Sequence, residues 1–169
     1  MKTLMTAAIV GLAGCAAGSS PYVAEQARDI KALSAEETAS LLAGKGMGFA
    51  KAAELNGYPG PLHVLELAPR LQLTDAQRAQ TQALFDSMQA KAKALGSELV
   101  DEERRLDRLF ASKSASSDAL AASLARIGDL QAKVRGAHLE AHLAQARILT
   151  PEQAARYVEL RGYASGHAH

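Results

Sequence analysis

The sequence predicts an all-α protein built on a long antiparallel helical hairpin, and three observations carry that expectation. Of the 169 residues, 48% are hydrophobic, alanine supplies much of that share, and only 4% are aromatic; small side chains suit closely packed helices better than a thick sandwich or barrel core. Two long stretches, near residues 75–110 and 118–148, place apolar residues at spacings of three, four and seven, the period of one helix face. Polar "SKSASSD" separates them, as a hairpin loop would. The formal charge is +1 with both signs interspersed, which excludes a broad basic footprint for nucleic acid. Arg104, Arg105 and Arg108 alternate with Asp101, Glu102, Glu103 and Asp107, the pattern of a solvated, salt-bridged helix face.

The elements follow in chain order. "MKTLMTAAIVGLAGC" carries one lysine and an apolar run too short for a permanent membrane span, and fits a secretory signal. Its ending, Leu12-Ala13-Gly14-Cys15, resembles the lipobox of bacterial lipoproteins, in which the cysteine is lipidated and becomes the first mature residue. Cys15 is the only cysteine, and lipidation accounts for a lone thiol in an exported protein. That resemblance implies a lipoprotein signal peptide over residues 1–14 and, with Ala16 after the cysteine, a periplasmic protein anchored in the outer membrane. The alternative is an ordinary signal peptide cleaved after Ala17. Residues 15–22, "CAAGSSPY", read as a tether.

Residues 23–60 read as an arm of short helices outside the core. The pattern is helical from Val23 to about Gly44, with Ser34 and Glu37 spaced as a capping box for a second short helix. "GKGMG" breaks it, "FAKAAELNG" allows two further turns, and "NGYPGP" is dense turn chemistry. Residues 61–163 form the main domain. Pro61 starts a helix carrying His63, Leu65 and Leu67 and running towards Pro69 or Leu73. Thr74 caps the first long helix, with Gln77 at the third helical position reciprocating; its stripe is Leu84, Met88, Leu95, Leu99, Leu106 and Phe110. Ser116 or Ser117 caps the second, whose stripe is Leu120, Leu124, Ile127, Val134 and Ala141. Thr150, Pro151 and Gln153 repeat the capping signal for a last helix ending near Gly162. Residues 164–169 are a frayed tail.

The pair Leu73-Thr74-x-x-Gln77 and Leu149-Thr150-x-x-Gln153 brackets the hairpin. This arrangement resembles the Spy/CpxP group of periplasmic proteins with paired Leu-Thr-x-x-Gln motifs, and their relatives, the periplasmic heavy-metal sensor and resistance proteins of the CnrX and ZraP type. The resemblance covers about His63 to Tyr163. It implies a four-helix hooked hairpin, often a homodimer curved into a cradle. Spy-like members hold unfolding proteins without ATP; the sensor members bind transition metals through histidines and other side chains.

Within "RGAHLEAHLA", His138 and His142 stand four apart. At 100° per residue, His138 falls at the angle of Leu120 and His142 at the angle of Leu124, so both rings are expected to face inward. An i, i+4 pair sets two imidazoles within reach of one ion, and neutral imidazole suits zinc, copper, nickel or cobalt. The alternative is a hydrogen-bonded core histidine with a flanking neighbour. In the sensor relatives, histidines at the start of the hairpin and on its later long helix meet, and His63 and His138 match those places. Those sensors commonly carry more than one histidine near their start, whereas His63 stands alone here. Glu66, three residues on, adds a carboxylate, and Glu54 is a further possibility. His167 and His169 form a terminal His-x-His. Met47 and Met88 are soft donors suited to copper, though Met88 on the apolar stripe also suits the core.

No Gly-rich phosphate loop, nucleophile elbow or HExxH motif is present. Glu140 lies one position late for that last motif and about 200° from His138, so a zinc protease is rejected and binding without catalysis is expected. The leading expectation is metal homeostasis, metal sensing or envelope stress, with a transition metal on His63, His138, His142 and Glu66. The alternatives are a chaperone cradle for unfolded clients and a docking module for a membrane signalling protein.

Overall fold

The computed structural model describes residues 20–163. Cys15, the signal peptide, most of the tether, His167 and His169 lie outside the described residues. Among the described residues, six α-helices follow a 3₁₀ turn at Val23–Glu25: α1 (Ala35–Leu42), α2 (Lys51–Glu54), α3 (Pro61–Glu66), α4 (Asp75–Ala111), α5 (Ser117–Ile148) and α6 (Pro151–Leu160). The fold is all-α, and α4 with α5 forms the predicted hairpin. α1 lies on α4, α2 on α5, and α3 on both.

Local chemistry sets the helix starts. Ser34, Thr74 and Thr150 each close a full capping box, with Glu37, Gln77 and Gln153 returning to the cap N–H; each satisfies two orphan donors of a first turn. Ser116 caps α5. The two glutamines also grip one another. Gln77 Nε2 donates to Gln153 Oε1 at 2.7 Å and to Ile148 O at 3.0 Å. Gln153 Nε2 donates to Gln77 Oε1 at 3.0 Å and to Leu71 O at 3.2 Å. A reciprocal amide pair thus ties the start of α4 to the start of α6.

Two apolar clusters form the core. Leu99, Val100, Ile127, Leu130 and Val134 of the hairpin pack with Ile30 and Leu41, while Val64, Leu71, Leu149 and Tyr157 close its base. Ile30, Leu41 and Ala53 are buried, so residues 23–60 are not an arm outside the core: the hairpin is only two helices thick and needs a third layer to bury its face. The helical expectation from Val23 to Gly44 is likewise reduced to the 3₁₀ turn and α1, and α3 ends at Glu66 short of Pro69. Phe110 and Leu124, expected on the apolar stripes, are 57% and 51% exposed.

α1 meets α4 at Gly96, where an added Cβ would sit inside van der Waals contact of the Leu41 carbonyl oxygen and 2.8 Å from its carbon. Backbone meets backbone there, so no rotamer change can relieve the clash. Gly96→Ala gains about 1 kcal/mol of helix propensity but incurs about 1–3 kcal/mol of overpacking. It is expected to lower the thermal midpoint and to raise amide exchange in α1 selectively; a midpoint above that of the wild type would overturn this account of the contact.

Candidate metal centre

Between the two core clusters the third layer leaves a cavity of about 500 Å³, bordered by Glu54 of α2, Gly60, His63 of α3, Met88 of α4, and His138 and His142 of α5. The two α5 histidines face inward as predicted, 5% and 8% exposed. Helical angle alone does not explain this, because Leu124 shares the angle of His142 and is exposed. His142 is buried because Tyr58 to Gly60 lies against it.

The His142 ring is oriented by a backbone carbonyl. Its Nδ1 lies 2.8 Å from Tyr58 O, and since a carbonyl only accepts, Nδ1 carries a proton, which in the neutral ring leaves the lone pair on Nε2. Tautomers set in this way are typical of imidazoles that bind metals. A Cβ built on Gly60 would lie 3.1 Å from His142 Nε2 and 3.4 Å from Glu54 Oε2. The missing side chain therefore leaves a space bordered by both atoms.

Glu54 divides its carboxylate between two tasks. Oε1 accepts from Tyr157 OH at 2.7 Å, Tyr163 OH at 3.0 Å and Arg161 Nε at 3.1 Å. Oε2 is buried with no hydrogen-bond partner. It lies 3.8 Å from His142 Nδ1, too far for a hydrogen bond, and that N–H already serves Tyr58. Tyr157 OH in turn accepts from the Gly60 N–H at 3.3 Å. Burial first, and then the hydrogen bond to Glu54, push the Tyr157 phenol far above its ordinary range.

His138 Nε2 is also buried without a partner. Its ring lies nearly parallel to Phe49, centroids 6.3 Å apart, and beside Gly46. Burial, reinforced by the neighbouring His142, lowers its pKa, so the neutral, ligand-competent form is favoured. His63 borders the same cavity, with Nδ1 donating to Glu66 Oε2 at 2.9 Å. Glu66 itself is exposed and does not line the cavity; it is placed to orient His63. Both methionines border the space.

Of the predicted metal ligands, His63, His138 and His142 are therefore gathered around one cavity but not at one point, and Glu66 stands outside it. Among the described residues, no three His, Cys, Asp or Glu side chains stand close enough to enclose an ion. Gly60, Tyr157, Arg161 and Tyr163 were not foreseen as parts of the site. "NGYPGP" was the signal for Gly60, whereas nothing local marks Tyr157 of α6 or Arg161 and Tyr163 just after it, whose partner Glu54 is about a hundred positions away.

The fold is thus an all-α hairpin that clasps a histidine-lined, carboxylate-bearing cavity. The chain belongs to the heavy-metal resistance family, whose sequence model matches residues 48–156. That match takes in α2 with Glu54, upstream of the predicted start at His63. No curated protein and no solved structure matches the chain.

His138 also gives the fold a pH dependence. Its folded pKa lies below the ordinary 6.5, so the unfolded chain binds more protons on acidification, and stability present above about pH 6.5 is lost as pH falls towards the folded value. Denaturant unfolding at pH 7.5 and 5.5 is expected to give a lower stability at the acid value. His138→Gln should flatten that slope, and an unchanged slope would remove His138 from this role.

Proposed function

We infer that the protein binds a transition-metal cation in this cavity and serves metal resistance or homeostasis in the cell envelope, by binding and not by catalysis. One observation carries the reading: polar atoms able to donate a lone pair, His142 Nε2, Glu54 Oε2 and His138 Nε2, border a single space, and two of them are buried without partners. An unsatisfied buried polar atom costs about 1–3 kcal/mol, and a cation is the group that would satisfy a carboxylate and neutral imidazoles together. His142 and Glu54 would hold the ion, with His138 the next donor and His63 at the rim. Borderline imidazole with carboxylate suits zinc, nickel, cobalt or copper, and the thioethers of Met47 and Met88 shift the preference towards copper. When bound, the metal would supply a Lewis-acidic centre of fixed charge.

The chain's own residues do the rest. Tyr58 O fixes the His142 tautomer, and Tyr157, Arg161 and Tyr163 hold Glu54 by one oxygen so that the other is presented. Gly60 keeps the space open. The proposal includes anchoring through Cys15 in the outer membrane and assembly as a homodimer, both as the sequence predicts. No described helix is long and apolar enough to cross a membrane. The chaperone reading draws on the exposed Phe110, Leu124 and Leu143, and predicts suppression of client aggregation that survives loss of the histidines.

Calorimetric titration with zinc, copper, nickel and cobalt tests the reading. Wild type is expected to bind at least one of them at micromolar or tighter affinity, about −8 kcal/mol or better. His142→Ala and Glu54→Gln should weaken binding by about tenfold or more, as should His138→Ala and Gly60→Ala. Absence of binding to all four metals would overturn the proposal; unchanged binding in His142→Ala and Glu54→Gln would move the site elsewhere.

A further inference from the structure

One metal-binding motif in the sequence is not used by the cavity as described: His167-Ala168-His169, whose histidines lie four and six positions after Tyr163. The point from which that segment departs is fixed. Just past α6, Gly162 has a φ of +76°, a left-handed turn that glycine adopts without strain, and Tyr163 beyond it meets Glu54. The Tyr163 hydroxyl donates to Glu54 Oε1 at 3.0 Å and accepts from Arg161 Nη2 at 3.2 Å. The Arg161 guanidinium also lies over the Tyr163 ring, 5.6 Å from its centroid. The chain is thereby held against the carboxylate whose other oxygen borders the cavity.

That oxygen lacks partners. Glu54 Oε2 and His142 Nε2 flank the space that Gly60 leaves open, and Oε2 is buried without a hydrogen bond. His138 Nε2 is likewise buried and unpartnered, but one turn back along α5, beside Gly46 and Phe49. His63 has its Nδ1 on Glu66. Zinc and its neighbours take three or four protein ligands, so an ion on Glu54 and His142 calls for further donors.

Reach decides which residues can supply them. Four residues span at most about 14 Å and six about 20 Å, and Tyr163 already touches Glu54, so both histidines fall within range of the space beside Gly60. Ala164, Ser165, Gly166 and Ala168 are small and uncharged, so no bulky side chain opposes the approach. In an extended segment residues two apart face the same way, which turns both imidazoles towards one ion.

We propose that the segment after Tyr163 folds back over the cavity and that His167 and His169 complete the metal site, adding their imidazoles to His142 Nε2 and Glu54 Oε2. The inference rests on the metal-binding function proposed above and supplies the ligands that function needs. His138 remains the next donor inward. Several imidazoles with one carboxylate form a set suited to zinc, copper, nickel or cobalt.

Calorimetric titration of the purified protein, with whichever of those four metals the wild type binds most tightly, tests the proposal. Wild type is expected to take one ion. The double variant His167→Ala, His169→Ala should still take one, at an affinity lower by about tenfold or more, with helicity by circular dichroism unchanged. In a His142→Ala background the same pair should cost less than it does alone, because residues that hold one ion are coupled. Wild-type affinity in the double variant would overturn this inference and leave the metal function standing; no binding by wild type would overturn both. Two ions on wild type, one lost with the two histidines and the other untouched, would make the segment a separate site and overturn the proposal, as would strictly additive losses with His142→Ala. Tight binding restored by mixing the double variant with His142→Ala would place the donors on a second copy and overturn the fold-back.

Discussion

The hydroxyl of Tyr157 is the contact on which the rest of the arrangement depends. Its ring is fully buried in the basal cluster, and its hydroxyl donates to Glu54 and accepts from the Gly60 N–H. One side chain of α6 thus fixes a carboxylate on α2 and the backbone just before α3. Without it, the segment over His142 would keep only the bond from His142 to the Tyr58 carbonyl and those from Arg161 and Tyr163 to Glu54, since α2 is a single turn and too short to be stable alone. Both the burial of His142 and the presentation of Glu54 draw on that hydroxyl, together with Tyr58 O for the one and Arg161 and Tyr163 for the other.

The Gln77–Gln153 pair does the same for the base of the hairpin. Each amide completes its own capping box, and each also satisfies a carbonyl that precedes the other helix. A carboxylate could serve the box but could not donate, and two carboxylates facing each other would repel. Glutamine at both positions is therefore a requirement of the pairing, beyond the requirement of either cap. The caps were legible in the sequence because they are local; the pairing was not, because it joins residues 76 apart.

The same division runs through the fold and the site. Helix limits were legible to within a few residues at Ser34, Thr74, Ser116 and Thr150, where capping chemistry acts over three positions. The inward aspect of His138 and His142 was legible from periodicity. Burial was not, since His142 and Leu124 share an angle and differ in cover. The cover comes from short helices joined by turn-rich loops, and their placement depends on distant contacts such as Leu41 on Gly96 and Tyr157 on Glu54. Glu66 misled for a related reason: the i, i+3 spacing correctly paired it with His63, but which of the two would face the cavity was a tertiary question.

If the proposed cation binds, Glu54 would link occupancy of the cavity to the C-terminal helix. Oε1 holds Tyr157, Arg161 and Tyr163, and Oε2 is turned to the space beside Gly60. The two oxygens share one delocalised charge, so a cation drawing density to Oε2 weakens Oε1 as an acceptor for three donors at once. Conversely, those donors fix the rotamer of Glu54 and so lower the entropic cost of presenting Oε2. Linkage requires that whatever α6 docking contributes to cation affinity, the cation returns to α6 docking with the opposite assignment of cause and equal magnitude. The sign follows from the balance of these two effects. Arg161 adds to it, because a second positive charge on the same carboxylate opposes the first while its guanidinium still fixes the geometry. A carboxylate shared in this way would make the end of the hairpin sensitive to a cation bound in its cavity.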